Sequence, residues 1–182
     1  MKKNALLHLL CAILCTMCGA LLCAAQTSLI PRYFNDALLV PDLLLCTVVA
    51  MGVLAGPVYG SLYGIYAGLL ADSVGGFGIC LLPLLYMLCG YAAWVAADLL
   101  PKRKFSAFLA VGAISLLGRV IVAVIYVFLF SGGVPPLPDV FRYVCIPLLL
   151  GSALALPAAY PAVWLLTLPL RGIVHDKIDK IM

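Results

Sequence analysis

Glutamate is missing from this sequence altogether. All seven acids are aspartates, Lys and Arg together number eleven, and charged residues make up 10% of the 182 positions. A soluble domain carries about 25%. Histidine is nearly absent too, with only His8 and His175, both close to the ends. No HExxH, GxSxG or P-loop pattern occurs. Catalysis inside a membrane needs paired acids, or a Ser and a His together at depth. Here the charges are sparse and peripheral, and Ser73, Ser115 and Ser152 have no base nearby in sequence. No enzyme, cofactor or metal site is expected. No segment carries the polar stripe that would line a water-filled path, so a channel is not expected either.

What the chain has in abundance is apolar surface: 66% of residues are hydrophobic, and the mean hydropathy is +1.21. No core of this size could hide so much in water, so the chain reads as an integral membrane protein whose first partner is the lipid bilayer. The net charge of +4 does not point to nucleic acid, because the positive residues sit at segment ends, where they report topology.

Eight cysteines (Cys11, Cys15, Cys18, Cys23, Cys46, Cys80, Cys89 and Cys145) all fall in apolar stretches. Cys15 and Cys18 form a C-x-x-C pair, but neither a βαβ context nor a second ligand pair accompanies them. They read as small apolar residues. The N-terminus, Lys2-Lys3 followed by an apolar run to Cys23-Ala24-Ala25, has the outline of a signal peptide. Its apolar run of about twenty residues suits a span better than a cleaved leader.

Six spans are expected, at about 5–25, 38–56, 57–72, 79–97, 105–130 and 141–170, forming one transmembrane domain over 1–182. The polar loop after the first carries Arg32, Asn35 and Asp36. Gly75, Gly76 and Gly78 make a turn after the third, and Pro101 to Lys104 a basic cluster after the fourth. The last span holds Pro147, Pro157, Pro161 and Pro169, which predict a kink or a break. The third is short: about sixteen residues cover about 24 Å, less than a hydrocarbon core of about 30 Å. Merging the second and third into one unit would leave five spans, and six is preferred. With the N-terminus inside, Lys2, Lys3, Lys102, Arg103, Lys104, Arg171, Lys177 and Lys180 are cytoplasmic, against Arg32 and Arg142 outside. That asymmetry follows the positive-inside rule and needs an even number of spans, with both termini cytoplasmic.

The third span is a ladder: Gly56, Gly60, Gly64 and Gly68 recur every fourth residue, and Asp72 takes the next step. Such spacing makes one small-residue stripe along a helix, which lets another helix approach closely in a membrane. The stripe, with Tyr63 between its glycines, is expected to hold either a partner helix or a neighbour in the same bundle. Tyr59, Tyr66, Tyr86 and Tyr91 read more readily as interface and packing residues than as a pocket lining.

Intramembrane charges are costly and mark polar sites. Pro41-Asp42 opens the second span, and Arg119 lies about 21 Å along the fifth by helical rise. Arg119 is expected to reach Asp42 or Asp72. The alternatives are snorkelling to headgroups or a ligand contact, and Asp42 also suits a helix N-cap.

The ordered set from Pro41 to Trp94 resembles the MreD family of rod shape-determining membrane proteins. It comprises Pro41-Asp42, Gly60, Gly64, Gly68-Leu69-Leu70-Ala71-Asp72, Gly76, Gly78, Tyr86 and Gly90-Tyr91. The resemblance implies a non-enzymatic scaffold of the bacterial machinery that elongates the lateral wall, resident in the cytoplasmic membrane. It implies direct binding of MreC through a membrane helix. It also implies indirect links to RodA with its class B transpeptidase and to the filament protein MreB, and it allows a homo-oligomer. The implied fold resembles the six-helix substrate-binding subunits of energy-coupling-factor (ECF) vitamin transporters. A vitamin-binding subunit of such a transporter is the alternative function. Asn35, Asp36 and Arg32 offer it few polar contacts.

Overall fold

A computed structural model describes residues 2–29, 41–75, 81–100, 104–130 and 136–178, with side chains within 13–28, 41–74, 81–100, 104–129 and 138–167. Arg32, Asn35, Asp36, Gly76, Gly78 and the cluster at 101–103 lie outside the described residues, as do residues 38–40.

The described chain is helical, without strands. Helix α1 spans Lys2–Ala24 and widens into a π-turn at Ala25–Leu29. Then come α2 at Leu43–Ala55, α3 at Pro57–Gly75, α4 at Leu81–Leu99 and α5 at Lys104–Phe130. A short turn at Leu137–Val140 and a π-turn at Phe141–Cys145 lead into α6, Ile146–Ile178. Among the described residues, three helical stretches are long and apolar enough to cross a membrane: Leu81–Leu99, Lys104–Leu129 and Pro138–Thr167.

Helix α2 is the centre of the bundle. Its sequence is apolar on every side, as a fully enclosed helix should be, and every residue from Leu44 to Val53 is buried. It packs on all five other helices. At 13 residues it is about 20 Å long, too short to cross about 30 Å of hydrocarbon by itself. Its polar N-terminus therefore lies inside the protein, where the orphan N–H groups of a helix end need partners.

Gly56 joins α2 to α3 with φ +100, a left-handed conformation that suits glycine. Pro57 begins α3, where its missing N–H costs nothing. Gly60, Gly64 and Gly68 lower intrinsic helix propensity by about 1 kcal/mol each relative to Ala, and close packing offsets this. A Cβ on Gly60 would lie 2.6 Å from the Gly52 Cα, and one on Gly64 would lie 2.5 Å from the Tyr86 carbonyl oxygen. A Cβ on Gly68 would collide with the Pro83 backbone. The stripe is thus filled by α2 and α4 of the same chain. Gly56 takes no part in it, since a Cβ there would meet nothing within 4 Å.

Helix α6 continues without a break through Pro147, Pro157, Pro161 and Pro169, where the prolines predict a kink or a break. A π-turn at Phe141–Cys145 precedes it. Proline removes a helical N–H and its ring crowds the carbonyl one turn back. The wider turn at 141–145, in which the Ile146 N–H donates to the Phe141 carbonyl, gives the ring of Pro147 room.

Candidate functional site

The N-terminus of α2 gathers several polar side chains of the interior. Asp42 is its N-cap: Oδ1 accepts from the Leu45 N–H at 3.1 Å. The preceding Pro41 is buried. The other carboxylate oxygen, Oδ2, accepts from the Tyr86 hydroxyl of α4 at 2.5 Å and from Arg119 Nε of α5 at 3.0 Å. The Arg119 guanidinium also bonds the Tyr86 hydroxyl. From α6, the Ser152 hydroxyl accepts the Asp42 backbone N–H at 2.8 Å. The Leu43 N–H donates to Gln26 Oε1 in the turn after α1, at 3.2 Å.

Asp42 is 1% exposed and Ser152 and Tyr86 are fully buried, so this is a buried network. Two readings of Asp42 that the sequence left as alternatives, N-cap and ion-pair partner, hold at once, because each carboxylate oxygen serves one. A carboxylate at a helix N-terminus also meets the positive end of the helix dipole. Chemically, the arrangement neutralises a buried charge pair and locks four helices. Both Asp42 oxygens are spent on these bonds, so the aspartate is not placed as a general base.

Asp72 lies elsewhere. It is 8% exposed and lines a small cavity of about 70 Å³ with Leu82, Val122, Ile125 and Tyr126. The structure brings Asp42 and Arg119 together and sets Asp72 apart from them.

The tyrosines of α3 divide between packing and a groove. The Tyr66 hydroxyl donates to the Thr16 carbonyl of α1 at 2.7 Å, and its ring stands 6.2 Å from that of Tyr63. Both rings crowd Gly19 of α1. The Tyr63 hydroxyl meets Thr47 Oγ1 at 3.4 Å. Beside it a cavity of about 300 Å³, half open, runs between α1 and α6, lined by Cys18, Leu22, Thr47, Tyr63, Ala158 and Ala162 among others. Its wall is almost wholly apolar.

The sequence places Gln26 in the polar loop after the first span and offers Ser152 only as a nucleophile without a base; it gives neither a partner. The available signal was a hydroxyl inside an apolar run, which must bond to something when buried. The sequence marks Tyr86 as a packing residue and part of the family pattern, and only the fold gives its hydroxyl a partner.

Residues 9–167 match the family described as rod shape-determining protein MreD. Neither the curated proteins nor the solved structures hold a match to this chain. The family match extends far beyond the motif-bearing stretch from Pro41 to Trp94 and takes in every helix that contributes to the polar network. The chain belongs to the MreD family of rod shape-determining membrane proteins.

Proposed function

We propose that this protein is a non-enzymatic scaffold of the rod elongation complex. In this reading it binds MreC through membrane helices and helps control lateral peptidoglycan synthesis. Family membership supports the shape-determining role. The observation that carries the scaffold reading is the buried network itself: its one ion pair is consumed in joining helices. A rigid platform follows from such a core.

The glycine stripe is occupied from within, so a partner helix must use a lipid-facing side. The groove between α1 and α6, with Ala158 and Ala162 on its wall, would admit a helix backbone closely. RodA, its class B transpeptidase and MreB would be reached through MreC. The setting is the bacterial cytoplasmic membrane, crossed several times, with both termini in the cytoplasm. In this reading the fold is of the ECF substrate-binding-subunit kind, put to structural use.

The test is affinity capture of the tagged protein from detergent-solubilised membranes, with mass spectrometry of what accompanies it. Recovery of MreC is expected. Recovery instead of a transporter's energising subunits, or of a bound vitamin, would move the assignment to the vitamin-binding reading.

A further inference from the structure

The groove between α1 and α6 reaches the centre of the bundle. Its floor is Thr47 and Met51 of the enclosed helix α2 and Tyr63 of α3, all three buried. The two hydroxyls on that floor are already engaged. Thr47 donates to the Leu44 carbonyl at 2.8 Å and meets the Tyr63 hydroxyl at 3.4 Å. No charged side chain lines the groove. Its lips are the half-buried Cys18 of α1 and the exposed Ala158 and Ala162 of α6. By helical spacing, Leu14 and Leu21 share the Cys18 face of α1, and Leu154 and Leu165 share the Ala158 face of α6. All four leucines are exposed, so the mouth opens among apolar side chains, toward hydrocarbon rather than water.

We infer that this groove holds one acyl chain of a bilayer lipid. Water is a poor occupant of about 300 Å³ with an apolar wall, since apolar cavities of about 150 Å³ stay dry and take hydrocarbon instead. A helix, about 10 Å across, can lie along the mouth but does not fit inside, beside α2. An acyl chain is narrow enough, and its length matches. The α6 wall runs from Ala155 to Leu166, about 17 Å of helix. One leaflet is about 15 Å deep, half of a hydrocarbon core of about 30 Å. With no charge in the lining, the headgroup stays outside and unread, and the ligand is the chain itself. The scaffold reading stands or falls separately, because a partner helix across the mouth would cover the chain without replacing it.

The purified full-length protein is placed in phosphatidylcholine nanodiscs doped with a phosphatidylcholine that carries a diazirine midway along one acyl chain. Light fixes that chain to whatever it touches, and mass spectrometry of the peptides locates the label. Every residue of α2 from Leu44 to Val53 is buried, so lipid surrounding the protein does not reach them. The expected result is label at Thr47 or Met51, together with label at the exposed Leu154 and Leu165. Ala158→Phe and Cys18→Leu fill the groove from its two lips. Each should remove the α2 label and keep the outer one. The two changes lie on different helices, so failure of one to fold leaves the other as the test. Label confined to exposed positions in the wild type overturns the inference, whether the groove is empty or a co-purified helix fills it. So does α2 label that persists in either folded variant.

Discussion

Arg119 and Asp42, 77 residues apart, meet at 3.0 Å in the interior of the bundle. Each would be an expensive buried charge alone. Breaking such a pair by removing one partner costs about 3–5 kcal/mol, whereas replacing both by apolar residues is often near neutral. Asp42→Asn is therefore expected to destabilise the protein by about 3 kcal/mol, although Asn can still cap α2. The double change Asp42→Asn with Arg119→Leu should cost clearly less than the sum of the singles. Reversible unfolding in mixed micelles measures all four corners of that cycle. Additive losses would mean the pair does not couple.

Tyr86→Phe isolates the hydroxyl. The ring stays in its fully buried seat, and only the bond to Asp42 Oδ2 goes. A hydrogen bond to a charged group contributes about 1.5–3 kcal/mol, and a loss in that range is expected. Tyr63→Phe, whose hydroxyl meets only the neutral Thr47 among its described contacts, should lose less than half as much. A reversed order in the same unfolding assay would contradict the network.

Ser152→Ala leaves the Asp42 backbone N–H without its acceptor in a buried place. The expected cost is about 1–3 kcal/mol, and amide exchange at the start of α2 should accelerate. Protection there unchanged from wild type would show that another group accepts the N–H.

The glycines separate by what a methyl would meet. Gly64→Ala drives a Cβ to 2.5 Å from the Tyr86 carbonyl, so α3 and α4 must part and Tyr86 moves with them. Overpacking of this kind costs about 1–3 kcal/mol, and Gly64→Leu should prevent folding rather than selectively remove a partner. Gly118→Ala is the contrast: its nearest neighbour, a flexible Leu85 methyl, would be 3.5 Å away. Relief from glycine's poor helix propensity should make it neutral or stabilising by up to about 1 kcal/mol. Capture of MreC by Gly118→Ala at the wild-type level, with failure of Gly64→Leu to accumulate, is the expected pair of results. A folded Gly64→Leu protein would mean that α3 and α4 tolerate separation.

The Arg119–Asp42 contact was half legible beforehand, because helical rise gave a depth for Arg119 and the cost of a lone intramembrane charge demanded a partner. Choosing between Asp42 and Asp72 was beyond that argument. It depended on how α5 is rotated against α2, which depends in turn on many side-chain contacts. The glycine ladder showed the same division. Its spacing announced close approach, while the identity of the approaching helix, and the convergence of Gly52, Gly60 and Gly90 from three helices, lay in the packing.

Composition and periodicity determined by themselves that this chain is helical and membrane-bound, where its glycine stripe runs, and which charges would need company. Those properties are local: hydropathy acts over about twenty residues and helical spacing over a few turns. Only the tertiary structure decided that α2 is an enclosed central helix. It also decided that Asp42 shares its two oxygens between a helix cap and a cluster of donors, and that Gln26 and Ser152 complete the site. Those are relations between segments up to 110 residues apart. A buried polar atom takes whichever partner the packed helices bring within about 3 Å, and no local pattern encodes that choice.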